Sequence, residues 1–139
     1  MGLVYADIEL VNFKDELLAE EGYKLPSEIR RTKTSILANS GAIRLTINED
    51  LKNKLGLKQG IPLVVTLADG TNRTVESVSG IRVIYKERSC EVDAFVMPGN
   101  SEPLLGAVPM ELMDLAILPY EGKLDYNPAH PNGPIFHLK

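Results

Sequence analysis

The sequence lacks a second cysteine, a run of basic residues and any apolar stretch long enough to cross a bilayer. Each absence excludes something. A single cysteine, Cys90, cannot close an internal disulfide, so an oxidising compartment is not what the chain is built for. Phosphate binding needs clustered Lys and Arg, and here the basic residues are scattered under a net charge of −4, which argues against a nucleic-acid partner. A membrane-spanning helix needs roughly 18 apolar residues in succession, and no run comes near that. The opening MGLVYADIEL has neither the basic start nor the apolar stretch of a signal peptide. Ala6 stands where a myristoylation signal has Ser or Thr. Together these features predict a cytoplasmic protein with no membrane and no nucleic-acid partner.

Several reaction types are also missing their residues. Ser35, Ser40 and Ser101 have no G-x-S-x-G context, which argues against a serine hydrolase. His130 and His137 have no Cys, Asp or Glu at metal-ligand spacing, so neither a metal nor a cofactor is expected. Cys90 lies in a predicted strand with no His nearby in sequence and reads as a buried structural thiol. The chain shows no internal repeat and no low-complexity segment.

What is present is an ordinary globular composition, 44% hydrophobic and 24% charged over 139 residues. That suits one domain, 1–139, with one core. Residues 3–11 alternate, with Val4, Ala6, Ile8 and Leu10 on one face, and predict a half-buried strand. Residues 14–31 are charged and broken by Gly22 and Pro26. They predict a short helical turn, a loop and a second turn near Ser27, the least structured part by pattern. TKTSILA, 32–38, predicts a strand, and 42–47 an extended segment. Asn48 is a good helix N-cap, with Glu49 and Asp50 in the first turn and Gly56 as the stop. From 61 to 97 strands follow one another. IPLVVTLA and NRTVESV flank the turn Asp69-Gly70-Thr71-Asn72. IRVIY and CEVDAFVM follow around KERS. A short helix over 109–114, a strand at LAILP and a tail that begins with a strand and ends as an extended arm complete the chain. Short strands with turn chemistry between them predict an all-β sandwich or barrel.

Two stretches stand out within that frame. SILANSGAIRLTI carries an apolar strand into the turn Asn39-Ser40-Gly41 and out again through Ala42. EPLLGAVPMELMDL places two leucines and a glycine before a short helix. Taken singly, the first is a polar turn and the second is core. Together, with LADGTNRTVESVSGIRVIY between them, they resemble the retropepsin-like (retroviral-type) aspartic peptidases. In that family an apolar strand runs into Asp-Thr/Ser-Gly-Ala, a flap hairpin follows, and two apolar residues and a glycine precede a short helix. MGLVYADIELVN and NPAHPNGP are similar to a small bacterial and cyanobacterial branch. The resemblance covers essentially the whole chain.

The resemblance implies an all-β closed barrel with one or two short helices. It implies a homodimer acting on peptide or protein, and hydrolysis by a water held between two Asp side chains from two subunits. Ser40, Gly41 and Ala42 fall on the Ser-Gly-Ala of the motif, with Ser40 as the hydroxyl that supports the dyad and Ala42 as a residue that contacts substrate. Asp69, Gly70, Thr71 and Asn72 fall at the tip of a flap that contacts substrate, although an ordinary hairpin would read the same way. Asn39 falls on the catalytic aspartate. Asparagine keeps the shape but cannot exchange a proton in this pH range. General acid–base catalysis contributes roughly 10²–10⁴ in rate, so the chain is expected not to cleave peptides. Asp69, Asp93 and Asp114 are poor substitutes, since Asp69 suits a turn and Asp93 a polar strand face. An introduced replacement of Asp, a natural pseudo-peptidase that binds or assembles, and partial deamidation of Asn39 are left open.

Overall fold

The computed structural model describes residues 2–138. Strand β1 (Val4–Asn12) buries Val4, Ile8 and Leu10 as the alternation predicts, and Val11 and Asn12 are buried as well. Helix α1 (Phe13–Glu20) follows directly, capped by Asn12, whose side chain accepts from the Asp15 N–H at 3.0 Å. A 3-10 turn at Pro26–Glu28 leads to β2 (Arg31–Ala38). After a loop come β3 (Leu45–Asn48) and α2 (Glu49–Lys54). Asn48 is the N-cap as expected, accepting from the Leu51 N–H at 2.9 Å, and Gly56 takes a positive φ just past the helix. The extended backbone expected from Ala42 starts only at Leu45.

The middle of the chain is a β meander. β4 (Ile61–Thr66), β5 (Asn72–Tyr85) and β6 (Arg88–Met97) pair antiparallel in sequence. The two strands read at NRTVESV and IRVIY are one strand of 14 residues. A register shift between Val78 and Ile81 interrupts its pairing, with Gly80 at φ 79. Such a bulge bends a long strand and lets it serve two neighbours. β7 (Leu104–Leu105), α3 (Ala107–Leu112), and a hairpin of β8 (Leu115–Leu118) and β9 (Lys123–Tyr126) complete the chain.

Strand order in the main sheet is β1-β2-β7-β3-β6-β5-β4, and β1 also pairs with β5. That extra pairing returns the sheet to its first strand, so six strands form a ring and β4 stands outside it on β5. The fold is mostly β, in keeping with the expected class. The ring encloses Leu10, Ile36, Leu45, Ile47, Ile81, Val83 and Leu105, all fully buried. Each such side chain contributes roughly 1.5–3 kcal/mol on burial.

Two expectations need correction. The described residues carry three α-helices and a 3-10 turn, not one or two helices. Residues 14–31 are also firmly anchored. Asp15 is 1% exposed and accepts from Lys24 Nζ at 2.7 Å, from Arg30 Nε at 2.8 Å and from the Arg30 N–H at 3.0 Å. Asn12 donates to the Leu55 carbonyl at 2.8 Å, tying the same region to α2. Buried polar pairing holds this segment, and apolar periodicity does not register it.

Candidate functional site

β2 ends at Ala38 and the chain enters the turn. Asn39 and Ser40 are exposed, and Ala42 is half-buried. The Asn39 side-chain oxygen accepts from the Gly41 N–H at 2.9 Å, and its carbonyl accepts from the Ala42 N–H at 3.1 Å. This is an Asx turn, the local hydrogen bonding that asparagine favours. Gly41 does not take a positive φ, so its backbone conformation is open to other residues. A Cβ there would meet only the Asn39 side-chain oxygen, at 3.1 Å.

The turn is braced from the far end of the sequence. β7 lies between the two strands that flank it. It runs parallel to β2, with Leu37 opposite Leu104 and Ala38 opposite Leu105. It runs antiparallel to β3, with Thr46 opposite Leu104. The Asn39 N–H donates to the Leu105 carbonyl at 3.0 Å. Beyond β7, the Ala107 and Val108 N–H groups donate to the carbonyls of Ala42 at 2.7 Å and Ile43 at 2.9 Å. These are first-turn donors of α3 with no partner inside the helix. Gly106 passes so close to the 42–44 backbone that a side chain has no room. The two motifs singled out in sequence thus form one hydrogen-bonded unit. A short parallel pairing of this kind leaves no periodic trace from which it could be read.

The turn displays no carboxylate of its own. Asp69, Gly70, Thr71 and Asn72 lie at the end of the β4–β5 hairpin. Asp69 accepts from the Thr71 hydroxyl at 2.6 Å and the Thr71 N–H at 2.9 Å, which holds its carboxyl below the usual range. Gly70 has φ 86, a conformation that favours glycine. Asn72 accepts from the Thr66 hydroxyl at 3.0 Å. Asp69 is thus engaged in turn formation, and no hydrogen bond joins this tip to residues 39–42 among the described residues. Asp93 is exposed on β6.

Asp114 is a structural hub. It has φ 54, and its carboxylate meets His130 Nδ1 at 2.5 Å, Asn127 Nδ2 at 3.1 Å and the Ile135 N–H at 3.1 Å. Burial alone would raise its pKa, but the Ile135, Asn127 and His130 hydrogen bonds outweigh it and hold the carboxyl at about 2. The tail begins with a strand, β9, as expected, and beyond it Asp114 holds the chain folded back as far as residue 135. His130 is accounted for by Asp114. Burial, with Glu91 adding to it, pushes the Cys90 thiol up to about 12. A thiol so shifted is a poor nucleophile near neutral pH.

Arg44 escaped the sequence reading. It is the one charge inside the otherwise apolar AIRLTI, and it lies between the turn and β3. Its side chain lines a cleft of about 450 Å³ together with Ile43, Asp93, Val108 and Leu112. No protein-family model matches the chain, and no curated protein matches it either.

Proposed function

We propose that the chain is a retropepsin-like scaffold that binds peptide as a homodimer, with hydrolysis absent because Asn39 stands in the catalytic position. The observation that carries this reading is the insertion of β7 between β2 and β3. It joins the Asn39-Ser40-Gly41 turn to the Leu-Leu-Gly motif, the two stretches on which the resemblance rests. Exposed apolar side chains at Leu3, Ile135, Phe136 and Leu138 offer surface for a second copy to cover. On this reading the two-fold axis passes between two copies of the turn. The β4–β5 hairpin is the flap.

In an active relative, one ionised carboxylate takes a proton from water while its protonated partner donates to the substrate carbonyl. Two neutral amides can hold a water or a carbonyl by hydrogen bonds, but they supply no general base. The scaffold then orients a peptide without cutting it. A peptidase silenced only at position 39 and a natural binding or assembly module share this geometry.

The test is a digestion of unfolded protein substrate from mildly acidic to neutral pH, with oligomeric state measured in parallel. The chain itself is expected to be dimeric and inactive. Asn39→Asp is expected to cleave if only the carboxylates are missing. Dimers without cleavage by either form favour the binding or assembly role. Monomers that neither cleave nor bind peptide overturn the proposal.

A further inference from the structure

Several basic side chains around the ring find an acid. Lys24 and Arg30 meet Asp15, Lys52 meets Glu76, and Arg82 meets both Glu16 and Glu91. Arg44 does not. It is half-buried, and its protein partners are the Ser77 hydroxyl at 3.2 Å and the ring of Phe95, whose centre lies 4.8 Å from the guanidinium carbon. A guanidinium carries five N–H donors in a fixed fork. One is engaged by a neutral hydroxyl, and no carboxylate lies within 4.0 Å among the described residues.

The backbone around Arg44 is fixed. The preceding carbonyl, of Ile43, accepts from Val108, its own carbonyl packs on Gly106, and Leu45 begins β3. Stacking on Phe95 limits the head as well. A fork held in this way has already lost much of the freedom that binding would otherwise remove. The adjoining cleft has an apolar rim: Ile43 is 70% exposed, Leu112 45% and Val108 38%.

We propose that Arg44 reads a carboxylate on a peptide lying in this cleft. The occupant is an extended segment of another chain, with an acidic side chain flanked by apolar residues. The inference rests on the peptide-binding reading above and names its ligand. Charge complementarity selects the acid, because a guanidinium fork matches a carboxylate in two parallel hydrogen bonds. The setting selects a peptide over a free anion. Glu91 and Asp93 also line the cleft and the net charge is −4, so a small anion gains little, whereas a peptide adds contact with Ile43, Val108 and Leu112.

The experiment uses the full chain and two fluorescein-labelled octapeptide pools. Both have random apolar residues at every position except the fifth, which is Glu in one pool and Gln in the other. Anisotropy is expected to show the Glu pool binding about tenfold tighter. Arg44→Gln is expected to abolish that preference, and Arg44→Lys to keep part of it, with the Gln pool binding all three proteins alike. Equal binding of the two pools, no binding of either, or a preference that survives Arg44→Gln overturns the inference. Thermal unfolding of each variant identifies a folding defect. Sedimentation of the same samples separates this result from the parent reading, since a charge preference shown by a monomer sustains Arg44 as the reader and removes the two-fold cleft.

Discussion

Gly106 faces the Arg44 carbonyl so closely that a Cβ added to it would stand 2.4 Å from that oxygen and 2.7 Å from the Ala42 oxygen. Both neighbours are backbone, and both lie in the segment that follows the turn. Neither can yield without displacing β3 or the first turn of α3. Gly106→Ala is therefore expected to destabilise the fold by about 3 kcal/mol, the upper part of the usual overpacking range. Urea unfolding measures the loss. An unchanged midpoint would mean that the two motifs are not locked together as described.

Asp15 gives the fold a dependence on acid. The Arg30 guanidinium first, then Lys24 and the Arg30 N–H, hold its carboxyl well below the usual range, although burial pushes the other way. An unfolded aspartate titrates near about 3.9. The folded group lies lower, so its contribution is complete above roughly pH 4 and is lost as pH falls below that. Asp114 acts in the same sense. Asp15→Asn leaves two basic side chains facing a neutral amide and is expected to cost about 3 kcal/mol at pH 7. The variant's stability should then fall less between pH 4 and pH 2 than the parent's, which a pH series of urea midpoints reads directly.

Arg88 secures the tail from inside the protein. It is 6% exposed and donates to the Asp114 carbonyl at 2.8 Å and the His130 carbonyl at 2.6 Å. Its guanidinium stacks on Tyr126, 3.9 Å from the ring centre. Arg88→Met keeps similar bulk and removes the donors, leaving carbonyls without partners at a cost of about 3 kcal/mol. Proteinase K is expected to trim residues 127–138 from the variant under conditions that leave the parent intact. Equal resistance would show that the Asp114 contacts suffice alone.

Cys90 should be silent. Its thiol is 5% exposed and its nearest hydrogen-bond partner is the Pro109 carbonyl at 3.9 Å. An aromatic disulfide reagent at pH 8 is expected to label it only after urea is added. Rapid labelling of the folded protein would contradict both its burial and its raised pKa.

Asn48 links cap and loop. Besides capping α2 it donates to the Ser101 carbonyl at 2.8 Å. Asn48→Ala should cost about 2 kcal/mol, near the top of the range for lost caps. Asn48→Asp keeps the cap acceptor and loses the Ser101 donor, and should fall between the two in thermal unfolding.

The strands were legible because their alternation is local. Val4, Ile8 and Leu10 point inward as their spacing demands, and Asn48 and Gly56 mark both ends of α2 as their chemistry dictates. Less was legible where distant residues cooperate. Residues 14–31 look loose until Asp15 is seen between Lys24 and Arg30. The tail looks extended until Asp114 gathers Asn127, His130 and the Ile135 N–H. Of the candidate site, the turn and its glycines could be located from sequence. The role of Arg44 could not, because an arginine among apolar residues has the same letter whether it faces water or a cleft.

The position of β7 also sets a timetable. A strand that lies between β2 and β3 cannot take its place until the chain has been made through Leu105, well after the residues of both neighbours. Until then the edges of β2 and β3 at the turn have no partner. Ordering of the Asn39 turn is thus a late event of biosynthesis. A nascent chain halted after β6 would carry most of the ring's strands and no finished turn, with its open edges available to holding chaperones.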